Sequence, residues 1–141
     1  MNKAEFITHL TNWYRENDIN PSDCHVSHGG SLLMLGLREE TEDIDLTVTK
    51  GVWDKLLSEG HEIKIVGGNI QIIPVTEFID VHLLDETDKE LVFCEEQNVF
   101  YRTLEVTLRD KLKLNRPKDQ ADIAALRQLL TNQGTLPYWL A

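Results

Sequence analysis

The N-terminal part of the chain carries large apolar side chains at helical spacing. They are Phe6, Leu10, Trp13 and Tyr14. This period predicts an amphipathic helix over residues 3–17, after which Asn and Pro residues favour a turn. A short strand over residues 24–27 and a brief apolar helix over residues 31–37 are predicted next, with Ser31 as the N-cap of that helix.

Four later segments have the composition or alternation of strands. Residues 43–49 and 78–84 alternate apolar and polar positions, and two β-rich runs flank Gly67-Gly68-Asn69. The Gly-Gly-Asn segment between these runs predicts a hairpin. A helix over residues 52–58, ended by Gly60, is predicted between the first strand and the hairpin.

The rest of the chain has a helical period. Its apolar positions are Leu104, Leu108 and Leu112, then, after Pro117, Ile123, Leu126, Leu129 and Leu130, with an end near Gly134. Strands concentrated before helices indicate an α+β fold. Because no repeat, low-complexity tract or long linker divides the chain, residues 1–141 are predicted to form one domain.

Composition narrows the classes of function. The chain has 141 residues, 41% hydrophobic content and a formal net charge of −10. The negative charge disfavours binding to extended nucleic acid, which needs clustered Lys and Arg, but a small polyanion held by a divalent metal stays possible. Two distant cysteines and no signal peptide or apolar run of membrane length predict a cytoplasmic protein without a membrane partner.

Two carboxylates on one strand face are the main candidate chemistry. Asp43 and Asp45 are two positions apart in the 43–49 strand, so their side chains point to the same side. Mg²⁺ or Mn²⁺ between them would relieve their repulsion, and Asp80 offers a third carboxylate on a later strand. If the two strands are neighbours, these residues could hold the metals of a phosphoryl or nucleotidyl transfer site. The alternative is a solvated strand face whose charges protect a sheet edge.

A second motif lies just upstream of the aspartates. Gly29 and Gly30 allow a tight turn and close approach of backbone amides to a ligand, and Ser31 adds a hydroxyl at a helix N-terminus. An ordinary turn with an N-cap would have the same sequence. Together with the aspartates, the segment supplies amides for phosphates and carboxylates for their metal.

Residues 29–46 resemble the signature of the DNA polymerase β-type nucleotidyltransferase superfamily, a Gly-Gly or Gly-Ser turn followed downstream by acid-apolar-acid. The matching positions are Gly29-Gly30-Ser31, Gly36-Leu37-Arg38 and Thr41-Glu42-Asp43-Ile44-Asp45-Leu46. Asp80 in Phe-Ile-Asp-Val-His matches the third carboxylate of that superfamily. Lys111-Leu112, Arg116-Pro117-Lys118-Asp119 and Asp122-Ile123 resemble the C-terminal helices of its small bacterial, toxin-type and abortive-infection members.

The resemblance implies a nucleotidyltransferase fold, with a mixed sheet packed by helices and a C-terminal helical segment. It also implies Mg²⁺ or Mn²⁺ at Asp43, Asp45 and Asp80, and transfer of an NMP from an NTP donor, with ATP among the candidates. The acceptor is left unidentified: a hydroxyl or phosphate of RNA, protein or a small molecule. For nucleotide binding the expected residues are Gly29, Gly30, Ser31, Arg38, Lys111 and Lys118.

Several polar residues have two interpretations. Arg38 could reach the triphosphate or pair with Glu39 or Glu40 on the surface. Asp119 and Asp122 are expected to orient the nearby cations or cap the last helix. His28 and His82 could support the site, act as a base towards the acceptor, or be structural.

Two other functions compete with nucleotidyl transfer. The first is a catalytically silent nucleotide-binding or antitoxin-type interaction protein with the same fold, which the short chain and the lack of an acceptor-binding module favour. The second is a metal-dependent phosphatase or nuclease, which would use similar carboxylates but does not explain the Gly-Gly-Ser turn.

Overall fold

A computed structural model describes residues 1–85 and 93–132 of the chain. The α-helices in these ranges are α1 (Lys3–Glu16), α2 (Gly29–Met34), α3 (Lys50–Ser58), α4 (Leu104–Leu114) and α5 (Gln120–Asn132). The strands are β1 (Cys24–Ser27), β2 (Ile44–Val48), β3 (Lys64–Val66), β4 (Ile70–Pro74), β5 (Ile79–Leu83), β6 (Phe93–Glu96) and β7 (Val99–Arg102). Two short 3₁₀ turns lie at Pro21–Asp23 and Pro117–Asp119.

Local sequence signals account for most of these boundaries. The Asn2 side chain accepts a hydrogen bond from the Glu5 amide and the Glu5 side chain accepts one from the Asn2 amide, so α1 begins with a capping box. Thr103 caps α4 through its hydroxyl. The β3–β4 turn places Gly67, Gly68 and Asn69 at φ of 42°, 77° and 86°, values that glycine and asparagine adopt at low cost.

The strands form one mixed sheet in the order β3-β4-β5-β2-β1-β7-β6. At its centre β2 pairs antiparallel with β1 and parallel with β5. The β1–β7 pair is also parallel, and the remaining pairs are antiparallel. The predicted α+β class with a mixed sheet packed by helices is therefore confirmed.

The two faces of the central strands have different surroundings. Ile44, Leu46 and Val48 of β2 are buried in a core that α1 and α3 complete. A second apolar cluster joins α2, α4 and α5 through Leu32, Leu108, Ile123, Leu126 and Leu130. Asp45 and Thr47 alternate with the core residues of β2 and point to the opposite side, as Asp80 and His82 do on β5. We call this side, defined by those four residues, the carboxylate face.

One predicted element differs from the structure, one hairpin was not predicted, and one predicted boundary is not tested. The helix predicted over residues 31–37 spans Gly29–Met34, and Ser31 does not cap it: its N-cap position is His28, without a side-chain cap. The β6–β7 hairpin was not predicted, because its turn uses Gln97 and Asn98 at φ of 50° and 64° and contains no glycine. The predicted helix end near Gly134 lies outside the described residues.

No helix within residues 1–85 and 93–132 combines the length and apolar character needed to cross a membrane.

Candidate functional site

The strand register places Asp45 and Asp80 side by side. Asp45 pairs with Asp80 across the parallel β2–β5 ladder, and with Ser27 across the antiparallel β1–β2 ladder. Neighbouring strands lie about 4.8 Å apart, so the two aspartates share one small area of the carboxylate face. Asp43 immediately precedes β2 and is exposed. The strands that carry the predicted carboxylates are thus direct neighbours.

The carboxylates influence one another electrostatically. Partial burial, and then the negative charges of Asp45 and Asp43, raise the pKa of Asp80, while His82 and Lys64 oppose this shift. The repulsion means that this area holds more negative charge than its neighbouring cations balance.

The carboxylates do not form a closed ligand cage in this conformation. Across residues 1–85 and 93–132, no three His, Cys, Asp or Glu side chains are assembled closely enough to hold a metal ion. Asp45 and Asp80 instead lie on the carboxylate face as adjacent, separate groups, and Asp43 lies just before β2.

A cleft of about 450 Å³ lies next to Asp43 and Asp45. Gly29, Arg38, Glu40, Thr41 and Glu42 line the rest of it. A Cβ atom added to Gly29 would lie 2.5 Å from Arg38 Nη1, so the guanidinium rests against the bare glycine backbone. The structure therefore brings the first residue of α2, Arg38 and the Asp pair to one cleft.

If the nucleotide predicted from the sequence binds in this cleft, Gly29→Ala should fold but bind it more weakly. The new methyl group would displace the flexible end of Arg38 from the cleft, at little cost to stability because alanine favours a helix more than glycine does. Calorimetry should show a dissociation constant for ATP with Mg²⁺ that is about 10-fold higher, equivalent to about 1.4 kcal/mol.

Gly51→Ala in α3 is the matched control, since its Cβ would meet only Thr49 Oγ1 at 4.0 Å. Equal nucleotide affinity in wild type, Gly29→Ala and Gly51→Ala would contradict a role for the Gly29–Arg38 contact.

Gly30 and Ser31 have packing roles in this structure. A Cβ at Gly30 would lie 2.4 Å from Val26 Cγ1 and 2.8 Å from Phe6 Cζ, both in the core. Ser31 is fully buried and its hydroxyl donates to the Val26 carbonyl at 2.9 Å. The Ser31 hydroxyl thus anchors α2 to β1 and is not the N-cap that the sequence predicted. The first hydrogen bond of α2 runs from the Ser31 amide to the His28 carbonyl. The amides of Gly29 and Gly30 precede it and are not used in the hydrogen bonding of the helix.

A network of ion pairs connects the cleft to α4 and α5. Lys111 Nζ lies 3.2 Å from Asp119 Oδ1 and 3.3 Å from Asp122 Oδ2. Asp122 also lies 3.5 Å from Arg38 Nη2, and Asp119 accepts hydrogen bonds from Arg116 at 2.7 and 3.1 Å. The hydrogen bonds from Arg116, followed by those from Lys111, hold the pKa of Asp119 well below its usual range. Asp119 and Asp122 thus form ion pairs with the nearby cations, as the first of the two roles predicted for them requires.

The predicted phosphate-binding cations occupy different positions. The surface interpretation paired Arg38 with Glu39 or Glu40. In the structure Arg38 pairs with Asp122 instead. Lys111 is buried between two carboxylates. Lys118 is exposed on the Pro117–Asp119 turn and forms no salt bridge with any residue that the structure describes. The structure therefore links Arg38 and Lys111 through Asp122 and leaves Lys118 outside that link.

Two histidines lie beside the carboxylates. His82 Nε2 is 3.3 Å from Asp45 Oδ1, and the ring centroids of His28 and His82 are 5.8 Å apart. His28 adopts a positive φ of 55° at the start of α2, where the chain turns out of β1.

Sequence reasoning missed two residues near the carboxylates. Ser27 lies opposite Asp45 at the end of β1, with its hydroxyl 3.3 Å from Thr47 Oγ1. Lys64 of β3 lowers the pKa of Asp80 through its charge, although β4 lies between their two strands in the sheet. The alternation of β1 could have placed Ser27 on a strand face, but only the strand order shows which residues it faces.

Comparison with known proteins supports the fold. The chain is similar to a crystal structure from Thermotoga maritima described as a "putative nucleotidyltransferase", with 18% sequence identity and a TM-score of 0.57. The match covers 94% of this chain and 96% of that one. No protein-family model and no curated protein sequence matches the chain. At this identity the likeness shows a nucleotidyltransferase-like fold.

Proposed function

We propose that the protein is a metal-dependent nucleotidyltransferase. It would move an NMP from an NTP to a hydroxyl or phosphate acceptor. The observation that carries this proposal is the parallel β2–β5 register, which sets Asp80 beside Asp45 next to the cleft of Gly29 and Arg38. The similar fold of the Thermotoga maritima structure agrees with it.

The carboxylates fit a hard divalent cation chemically. Oxygen donors of this type suit Mg²⁺ or Mn²⁺. Burial, and then the charges of Asp45 and Asp43, raise the pKa of Asp80, and a bound cation would offset the charge repulsion. Asp43, Asp45 and Asp80 are the proposed ligands, and small side-chain rotations would be needed to bring the three together. When bound, the cation would neutralise charge on the triphosphate and on the acceptor oxygen.

The chain's own residues divide into two groups. The amides of Gly29 and Gly30 and the Arg38 guanidinium would hold the β- and γ-phosphates. Lys111 would support Arg38 through their shared partner Asp122. Lys118 would approach the phosphates from the surface. Asp80, on the acceptor side, would take up the acceptor proton. The acceptor oxygen would then form a bond to the α-phosphorus while the bond to the β-phosphate oxygen breaks and pyrophosphate leaves.

We expect NTP binding to depend on the metal and on Asp43. Without a cation, the triphosphate would meet Asp43, Asp45, Glu40 and Glu42 in the same cleft. Titration of ATP into wild type should give binding with Mg²⁺ and at least about 10-fold weaker binding with EDTA, and Asp43→Asn should show a similar loss in the presence of Mg²⁺.

Asp54→Asn in α3 removes an exposed carboxylate that pairs with Lys50, and so serves as the control. Binding that is equally tight with Mg²⁺ and with EDTA would exclude this metal site.

Transfer of radiolabel tests the reaction itself. Each of the four NTPs, labelled at the α-phosphate, would be incubated with the protein, Mg²⁺ or Mn²⁺ and cell lysate, and the product fractions separated. A labelled product made by wild type and not by Asp45→Asn supports the proposal. Folded protein that binds NTP with Mg²⁺ but labels nothing would instead favour the catalytically silent binding protein.

A further inference from the structure

His82 contacts Asp45 directly on the carboxylate face. It lies on β5 two positions after Asp80 and opposite Thr47 in the parallel register. From there its Nε2 reaches Asp45 Oδ1 at 3.3 Å across the two strands. The side chains are 23% and 31% exposed, so the contact is partly shielded from water.

This contact distinguishes Asp45 from the other two carboxylates. Among the residues that the structure describes, neither the Asp43 carboxylate nor the Asp80 carboxylate accepts a hydrogen bond, whereas the Asp45 carboxylate has His82 as its partner. A free carboxylate on a strand can rotate about its terminal bond, because that torsion has a broad energy well. A hydrogen bond to one oxygen restricts the rotation and leaves the second oxygen in a defined place.

We propose that His82 is a positioning residue for Asp45. The ring, with its proton on Nε2, donates to Oδ1, which leaves Oδ2 directed to a divalent cation. This inference rests on the proposed function, because it assigns Asp45 to the metal. Hydrogen bonds to ligating carboxylates typically change metal affinity by about 10- to 100-fold when they are removed.

Three substitutions separate a positioning role from a general structural one. The amide nitrogen of Gln can occupy a place close to that of the His Nε2 and donate, whereas Asn is too short to reach Oδ1 and Ala has no donor. His82→Gln should therefore retain the function that His82→Asn and His82→Ala lose. His61→Ala, on the segment after α3, is a matched control that removes a histidine away from the carboxylate face.

The readout is the affinity for Mn²⁺, measured by electron paramagnetic resonance with and without a non-hydrolysable ATP analogue. We expect His82→Ala and His82→Asn to weaken Mn²⁺ binding about 10-fold, and His82→Gln and His61→Ala to stay within about 3-fold of wild type. Unchanged affinity in all variants would overturn the inference. Equal loss in Gln, Asn and Ala would also overturn it, since the imidazole itself would then be required.

A measurement without metal keeps this inference separate from the proposed function. Nitrogen-15 NMR of the His82 ring in the metal-free protein reports which nitrogen carries the proton. A proton on Nε2 supports donation to Asp45, and a proton on Nδ1 alone would overturn it. If wild type binds no Mn²⁺ under any condition, the proposed metal site fails, while the ring measurement still decides the contact.

Discussion

Asp80→Asn is expected to abolish nucleotidyl transfer while the protein stays folded. The substitution removes the proposed base and ligand on the acceptor side, and a positioned general base contributes about 10²- to 10⁴-fold to a rate. Asp43 and Asp45 remain, so NTP binding with Mg²⁺ should weaken only modestly. Label transfer and calorimetry on the same preparation measure the two effects.

The same substitution should slightly stabilise the metal-free protein. Burial and the charges of Asp45 and Asp43 raise the pKa of Asp80. Since its folded pKa exceeds its unfolded pKa, ionisation of Asp80 weakens the folded state. This loss of folding stability grows as the pH rises from the unfolded pKa of Asp80 through its folded pKa. It has reached its full size at neutral pH. Because Asp80 is only partly buried, the gain from Asn should be less than about 1 kcal/mol, seen as a small rise in Tm.

Asp54→Asn again provides the control for loss of one exposed carboxylate. Near wild-type transfer by Asp80→Asn, or outright unfolding, would show that Asp80 is a surface or structural residue. Asp85, which follows β5, would then be the next candidate for the third carboxylate.

Gly30→Ala is expected to cause the largest loss of stability among the substitutions considered. Its methyl group would overlap the fully buried side chains of Val26 and Phe6. Valine is stiff at χ1 and both neighbours are enclosed by the core, so the overlap cannot be relieved by a simple rotation. Overpacking of this kind costs about 1–3 kcal/mol, more than alanine gains from its helix propensity.

Chemical denaturation of Gly30→Ala, Gly29→Ala and Gly51→Ala gives the comparison. Only Gly30→Ala should show a clear fall in the free energy of unfolding. If Gly30→Ala is as stable as Gly51→Ala, the packing of α2 on β1 is looser than the structure shows.

The two glycines of the motif lie against different groups. Gly29 faces the cleft and Arg38, and Gly30 faces the core. The sequence indicated close backbone approach at both positions, but it could not show that the group approached differs: a guanidinium at the first and apolar side chains at the second.

Elements with a strong local signal were predictable. The helix α1, the strand β1 and the Gly67-Gly68-Asn69 hairpin depend on spacing, capping and turn residues that act within a few positions of the chain. The β6–β7 hairpin lacks that signal, since its Gln97-Asn98 turn reaches positive φ without glycine. Pairing of β7 with β1 holds this hairpin in the sheet, and such a contact is not visible in a local pattern.

The sequence by itself determined which residue types were available to the site: one carboxylate on β2 and one just before it, a third on β5, and a glycine turn upstream. The period of a strand is enough to place Asp43 and Asp45 on the same side. Tertiary structure alone decided that Asp80 lies beside Asp45, that His82 reaches Asp45, and that Asp122 joins Arg38 to Lys111. Strand order and helix packing set these contacts between residues far apart in the chain, and they arise from burial of the whole core rather than from any local preference.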